Sequence, residues 1–444
     1  MLDLNEMASE QQHTEKKAFL ASIKYSFAAN LASMGLLYLT QFLLARIMKV
    51  DQYGIYAYSM SWLTLLLIIG SMGLDAALLR YIPQYIARSE WSHCRGIIKK
   101  SYRIVFPVSI ILLLGAWTAI LLNRSHPSES DLTDALLLGM CALPFWTAIK
   151  LTQGILQALK RPGLSQLLDG VLSPVLLLLT LGIALISDLP VSAIAVMAIF
   201  LVSRFIVLIF GLALLRSHIF PDELKSAEAE YKSRDWLKYA APMLLIAGTQ
   251  VIMNNADVIM IGMIKDPSQA GIYSAAARLA ALISVSLLFV NLVLTPYISE
   301  YYYSERRVEL QHFISLSARI AAFFGVPLFL VMLAYGKYAL GFFGSEFKDG
   351  YYALLILSVG QLVNVLSGSV GYIMTMTGRQ KQAAYVLAIS AALNIVMNYM
   401  LIPHFGIEGA AIATAVSLML WNIALILYIR KKINLNSTMF PGRI

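Results

Sequence analysis

Runs of about 20 apolar residues recur along this chain from one end to the other, and no other feature constrains its fold as tightly. A helix of that length rises about 30 Å, the thickness of a hydrocarbon core. Twelve such spans are predicted, at roughly 22–47, 54–82, 98–122, 133–158, 164–187, 190–215, 239–263, 270–298, 312–335, 350–376, 382–402 and 407–429. The 444 residues are 59% hydrophobic and only 13% charged, against about 25% charged in a soluble domain. Mean hydropathy is +0.71. Water is not the main solvent of this chain.

Lysine and arginine set the orientation. Of the 34, the N-terminus, the even-numbered connections and the tail carry 24, whereas the opposite side carries 6 (Arg46, Lys49, Arg124, Lys265, Lys337 and Lys348). This asymmetry predicts that both termini are cytoplasmic. It also accounts for the net charge of +9 as a positive-inside surface, so nucleic acid is not an expected partner. The first 19 residues are polar and lack an apolar core, so the first span is expected to be its own uncleaved targeting signal. Cys94 and Cys141 have no obvious partner, which argues against a disulfide scaffold.

The chain repeats itself. Gln52-Tyr53-Gly54-Ile55-Tyr56 follows the first span and Gln269-Ala270-Gly271-Ile272-Tyr273 follows the seventh, 217 residues on. Ser101-Tyr102-Arg103-Ile104 returns as Ser317-Ala318-Arg319-Ile320 at an offset of 216, and Leu159-Lys160-Arg161 as Thr377-Gly378-Arg379 at 218. The chain is therefore expected to be an all-α polytopic membrane protein. Its twelve transmembrane helices would form two six-helix bundles related by a pseudo-two-fold axis along the membrane normal, with a cavity between them. The expected division is a bundle over 1–215, a polar cytoplasmic linker over 216–238 and a second bundle over 239–444. Trp236 and Tyr239 would anchor the linker at the interface. The tyrosine of each Gly-Ile-Tyr would join the outer aromatic belt, and its glycine would let a helix start tightly after a turn.

On these residues the chain resembles the bacterial polysaccharide flippases of the multidrug/oligosaccharidyl-lipid/polysaccharide exporter superfamily, which implies a place in a bacterial cytoplasmic (inner) membrane. The resemblance rests on the Gly-Ile-Tyr motifs, on Gly73-Leu74-Asp75-Ala76-Ala77-Leu78-Leu79-Arg80-Tyr81, on Asn255-Ala256-Asp257, and on the run Asn398–Ala411 around Pro403-His404-Phe405-Gly406. It implies translocation of an undecaprenyl-diphosphate-linked oligosaccharide from the cytoplasmic to the outer leaflet of the cell membrane. Glycan polymerase and chain-length proteins would be further partners.

Charges inside the spans carry the functional signal, because each costs about 2.5–3.5 kcal/mol at a bilayer centre. Lys150, Arg204 and Arg278 are the candidate substrate-binding bases. Arginine presents a rigid fork to phosphate and lysine a point charge. Buried ion pairs, or backbone carbonyls within the bundle, are the competing explanation. Arg319 is expected to snorkel to a basic edge. Among the acids, Asp75 and Asp169 would pair with neighbouring bases. Asp257, beside Asn254, would hold a proton or a sodium ion and couple transport to an ion gradient. Asp257 and Arg278 lie about 12–15 Å from the turn at Lys265–Ser268 and are expected to pair. Asn394 and Asn398 share one helix face and would bond a neighbouring helix or a sugar.

No enzyme signature is present: the six histidines are scattered, and no nucleotide-binding loop occurs. No cofactor is expected. A cation-coupled drug antiporter of the same superfamily is the first alternative. A membrane-embedded glycan polymerase or ligase is the second, although it would need a large outer loop.

Overall fold

The computed structural model describes residues 2–122, 130–187, 190–216 and 220–439. Arg124 and Arg443, counted in the charge asymmetry, lie outside them. Every regular element among the described residues is helical, and ten helices there are long and apolar enough to cross a membrane. Two of the ten are of double length. In α1 (Leu2–Ser71) the apolar part covers 42 residues, Asn30–Ser71, and α16 (Gln380–Ile433) has 54. Each is broken at one residue, Lys49 (φ 62°, ψ 169°) and Gly406 (φ 57°, ψ −132°). At about 20 residues per crossing, each has the length for two.

The faces turned away from the protein are apolar. Phe323, Phe324 and Leu330 are more than half exposed on one helix, and Leu179, Ile183 and Ile186 on another. A water-soluble surface does not tolerate such stripes; lipid does.

Packing divides the chain into two units, residues 1–44 with 63–248, and residues 45–62 with 249–444. This differs from the division expected from sequence. The linker belongs to the first unit, and the break region of α1 belongs to the second.

The first unit comprises α1 apart from residues 45–62, α2 (Leu74–Ala87), α3 (Trp91–Leu122), α4 (Ser130–Met140), α5 (Leu143–Ala158), α6 (Pro162–Gln166), α7 (Ser173–Ile186), α8 (Ala193–Leu214), α9 (Asp222–Ser226) and the start of α10 (Ser233–Ile264). Its strut is α5, which packs on α2, α3 and α8 and buries 13 of its 16 residues. Gly154 permits this, since a Cβ there would lie 2.9 Å from the Asp75 carbonyl on α2. The linker is docked over residues 230–236. Glu230 N–H donates to the Ser92 carbonyl (3.1 Å), Arg103 to the Tyr231 hydroxyl (3.2 Å), and Trp236 Nε1 to the Tyr85 hydroxyl (2.8 Å). Trp236 is 1% exposed. It is a core residue and not the interfacial anchor the sequence suggests, because its indole N–H finds a buried partner.

The second unit comprises the end of α10, α11 (Pro267–Ala281), α12 (Val285–Tyr303), α13 (Arg307–Phe343), α14 (Tyr351–Ser367), α15 (Val370–Met376) and α16, with residues 45–62. Here α14 is the strut, packed on α11, α13 and α16. The two repeat glycines meet in this unit: a Cβ on Gly271 would lie 2.7 Å from Gly54 Cα. They serve a backbone-to-backbone approach between helices and not merely tight helix starts. Tyr56 and Tyr273 are buried (3% and 2% exposed), which corrects the aromatic-belt expectation. The tail docks as well. Asn436 N–H donates to Gln311 Oε1 (2.7 Å), and Gln311 Nε2 donates back to the Asn436 carbonyl (2.8 Å). Arg319, expected to snorkel, donates through Nε to the Met439 carbonyl (3.2 Å).

Candidate functional site

In the first unit the charged site starts from a widened helical turn. Pro174 has no N–H to offer the Gly170 carbonyl, and Leu167–Leu172 forms a π-helical turn between α6 and α7. Gly170 sits on this turn, where a Cβ would press on Ser33 of α1. The turn carries Asp169, and three side chains converge on its carboxylate. Arg204 of α8 donates to Oδ1, Trp146 Nε1 of α5 donates to Oδ2 at 3.2 Å, and Lys150 Nζ lies 3.4 Å from Oδ2.

The two bases are held differently. Arg204 is 6% exposed, and its guanidinium lies 4.5 Å from the Trp146 ring centroid and 4.4 Å from that of Phe200. Two ring faces and a carboxylate therefore fix it. The Lys150 side chain is 32% exposed, and its only ion pair among the described residues is the longer contact to Asp169. One turn further along α5, Gly154 lets α2 approach, so Asp75 comes within electrostatic range of Lys150 without pairing with it. Arg204 is the tightly held base of this cluster and Lys150 the more exposed, more loosely held one. The expected pairing of Asp169 with a base is what forms. Trp146 and Phe200 carry no sequence signal for this role, being two aromatics among many.

The second unit holds a neutral-donor cluster around Asp257 of α10, which is 3% exposed. Asn398 Nδ2 of α16 donates to Oδ1 at 2.5 Å, the Tyr273 hydroxyl of α11 donates to Oδ2 at 2.6 Å, and the Thr414 hydroxyl bonds Oδ2 as well. Asn398 Nδ2 also reaches Asn394 Oδ1 (3.0 Å), and Asn394 Nδ2 reaches Thr414 (3.2 Å). Asn394 and Asn398 are fully buried. Asn394 and Asn398 precede the break at Gly406 and Thr414 follows it, so the reversal of α16 gathers the shell. Gly409 makes the reversal tight, as a Cβ there would overlap the Leu401 carbonyl.

The expected Asp257–Arg278 pair does not form; the partners of Asp257 are Asn398, Tyr273 and Thr414. A ladder of neutral donors satisfies the carboxylate without a buried base. Arg278 lies on α11, partly buried, one and a half turns beyond Tyr273. Asn254 is exposed and lies outside the shell. Asn394 and Asn398 were legible as a shared helix face, whereas Thr414 gave no signal.

A buried carboxylate with no cation partner favours an added proton or a small cation. Besides the Asn398 amide nitrogen, the Tyr273 and Thr414 hydroxyl oxygens face the carboxylate, and Asn398 Oδ1, buried, accepts no hydrogen bond. Such oxygens suit a hard ion. No group of three or more His, Cys, Asp or Glu side chains able to hold a metal ion occurs among the described residues.

The sequence matches the model of a family described as polysaccharide biosynthesis protein over residues 19–302, and the MatE family model over residues 242–400. It is 25% identical over 401 residues to a probable low-salt glycan biosynthesis flippase, Agl15, of Haloferax volcanii, which covers 89% of this chain and 80% of the relative. Among solved structures, it is similar to a multidrug resistance MATE family transporter of the MOP superfamily in an inward-facing conformation. That match has a TM-score of 0.74 at 16% identity and covers 89% of this chain and 94% of the other. A second is the lipid II flippase MurJ, with a TM-score of 0.73 at 14% identity, covering 91% and 87%.

Proposed function

The chain belongs to the polysaccharide biosynthesis protein family, and from that premise we propose that it flips an undecaprenyl-diphosphate-linked oligosaccharide from the cytoplasmic to the outer leaflet of the cell membrane. Both termini are cytoplasmic in this reading, and the chain transports without acting as an enzyme.

The observation that carries the proposal is the Arg204–Asp169–Lys150 cluster inside an apolar helical unit. Lys150 turns from Asp169 to the diphosphate when substrate binds. Asp169 keeps Arg204 throughout, so the exchange strands no charge. Arg204 holds Asp169 in place and contributes its positive field. Arg278, partly buried in the second unit, is the further base assigned to the diphosphate.

Asp257 is the ion-coupling residue, carrying a proton or a sodium ion. Tyr273, Asn398 and Thr414 hold its carboxylate, and the Asn398 amide oxygen is the further ligand a sodium ion would use. Asn254 stands outside this shell and is assigned no ligand role in it.

A cation-coupled drug antiporter is the second reading, favoured by the MatE match over residues 242–400. One experiment separates the two. The protein is depleted in its own cells and lipid-linked oligosaccharide is assayed on each side of the membrane. Accumulation on the cytoplasmic face supports the flippase. Normal export, with raised sensitivity to organic cations, supports the antiporter.

A further inference from the structure

A further cluster of bases lies in the second unit, on residues that take no part in the Asp257 shell. The segments 300–310, 377–383 and 430–432 carry seven lysines and arginines against three glutamates. Two of these bases converge on one side chain. The Arg307 guanidinium lies 4.0 Å from the ring centroid of Tyr302. Arg379 donates to the Tyr302 hydroxyl at 2.9 Å, with its guanidinium 6.0 Å from the same centroid. Those distances place the two cations within about 10 Å of each other, where like charges repel.

Neither of them has a carboxylate partner among the described residues. The neighbouring Arg306, by contrast, is paired with Glu309 at 3.1 Å. The Tyr302 hydroxyl is held below the usual tyrosine range, chiefly by the Arg379 hydrogen bond. Phenol hydroxyls and not carboxylates face the two guanidiniums, Tyr302 for both and Tyr428 for Arg379 as well.

Structure holds the platform in place. Arg379 also donates to the Thr377 carbonyl (3.2 Å) and the Lys432 carbonyl (3.5 Å), tying the α15–α16 turn to the end of α16. Tyr301, next to Tyr302, stacks with Tyr297 and Phe313 at 6.1 and 5.2 Å. Arg307 is exposed. Further along α13, on the face turned away from Arg307, Leu316, Ile320, Phe323 and Phe324 form an exposed apolar stripe at helical spacing. Two guanidinium forks at the end of a helix with an exposed apolar face suit a phosphate group carried on a membrane lipid.

We propose that Arg307 and Arg379, set on the Tyr302 ring, form a binding site for the phosphate group of a membrane lipid. Two sources share that chemistry, an anionic phospholipid and a polyprenyl diphosphate. The site does not depend on the transport reading, since a non-transporting membrane protein would bind such a lipid in the same way.

The test uses the full-length protein in phosphatidylcholine nanodiscs. Phosphatidylglycerol or undecaprenyl diphosphate is titrated in, and native mass spectrometry counts the bound lipid. Wild type is expected to retain the added lipid, and Arg307→Ala to weaken retention about fivefold, the loss of one juxtamembrane base. Arg307→Lys, which keeps the charge and loses the fork, is expected to fall between them. Arg88→Ala removes an exposed base from the other unit and is expected to change nothing. Retention of phosphatidylglycerol supports a phospholipid site, and retention of undecaprenyl diphosphate alone supports a docking site for the carrier lipid. Unchanged retention by Arg307→Ala overturns the proposal, as does an equal loss in Arg88→Ala, which would mean diffuse charge.

Discussion

Asp257 and Asn398, 141 residues apart in the chain, meet at 2.5 Å from amide nitrogen to carboxylate oxygen inside the second unit. The contact makes Asn398 the gauge of charge on Asp257: its amide donates to a carboxylate, while its buried oxygen has no donor. Asp257→Asn replaces the carboxylate with a neutral amide that takes up no proton and brings no charge to balance a cation. Flipping in proteoliposomes is expected to lose its response to an imposed proton or sodium gradient, while membrane abundance stays near wild type. Asn398→Ala is expected to weaken the same response without abolishing it. Full gradient-driven transport by Asp257→Asn would remove the coupling role.

The approach of Gly54 to Gly271 gives a stability prediction. A Cβ on Gly54 would overlap the Pro267 carbonyl, which is backbone and cannot rotate away. Gly54→Ala is expected to cost about 1–3 kcal/mol by overpacking, read as a lower thermal midpoint in detergent. Gly115 of α3 has no heavy atom within 4 Å of a built Cβ, so Gly115→Ala is expected to be neutral or slightly stabilising. Equal midpoints for both variants would contradict the packing argument.

These glycines show what the sequence discloses and what it hides. Apolar length exposes the spans, because one helix must satisfy its own backbone within the bilayer. The repeat of Gly-Ile-Tyr is equally visible, yet its purpose is not. Gly54 and Gly271 are repeat equivalents, and nothing in their spacing says that they touch each other. Tyr273 looks like an interfacial aromatic by position, and only folding reveals Asp257 opposite its hydroxyl. The in-span charges are legible one by one, since each is costly in lipid. Which charge pairs with which is not, because helix order around a bundle is absent from local pattern. Asp257 is therefore found by sequence and its partners are not, whereas Asp169 is found with the kind of partner but not its aromatic frame.

Orientation is open to direct labelling. Arg161, Arg234, Arg307 and Ser345 are all exposed, so a cysteine at any of them is reachable without unfolding. The charge asymmetry predicts that cysteines at 161, 234 and 307 react with an impermeant maleimide only after the membrane is opened. A cysteine at 345 is expected to react in intact cells. Labelling of position 234 from outside would invert the assigned topology.

The last prediction separates structure from transport at Asp169. Arg204 is buried among Trp146, Phe200 and Asp169, so Arg204→Ala leaves the carboxylate with the Trp146 N–H and the looser Lys150 as its remaining partners. Stranding a buried charge typically costs about 3–5 kcal/mol, and the expected outcome is low membrane abundance with a depressed thermal midpoint. Replacing both partners with apolar groups, Arg204→Leu with Asp169→Leu, removes the stranded charge, and most of the lost abundance is expected to return without transport. Lys150 stands apart. Its side chain is 32% exposed at 3.4 Å from the carboxylate, and Asp169 keeps Arg204 when it is lost. Lys150→Ala is therefore expected to reach the membrane at nearly wild-type level while flipping lipid-linked oligosaccharide roughly tenfold more slowly, the scale of one charge-assisted hydrogen bond. Combining it with Arg278→Ala is expected to deepen the transport loss. If Lys150→Ala is as unstable as Arg204→Ala, the lysine is structural. If it is stable and transports normally, Lys150 is not part of the substrate site.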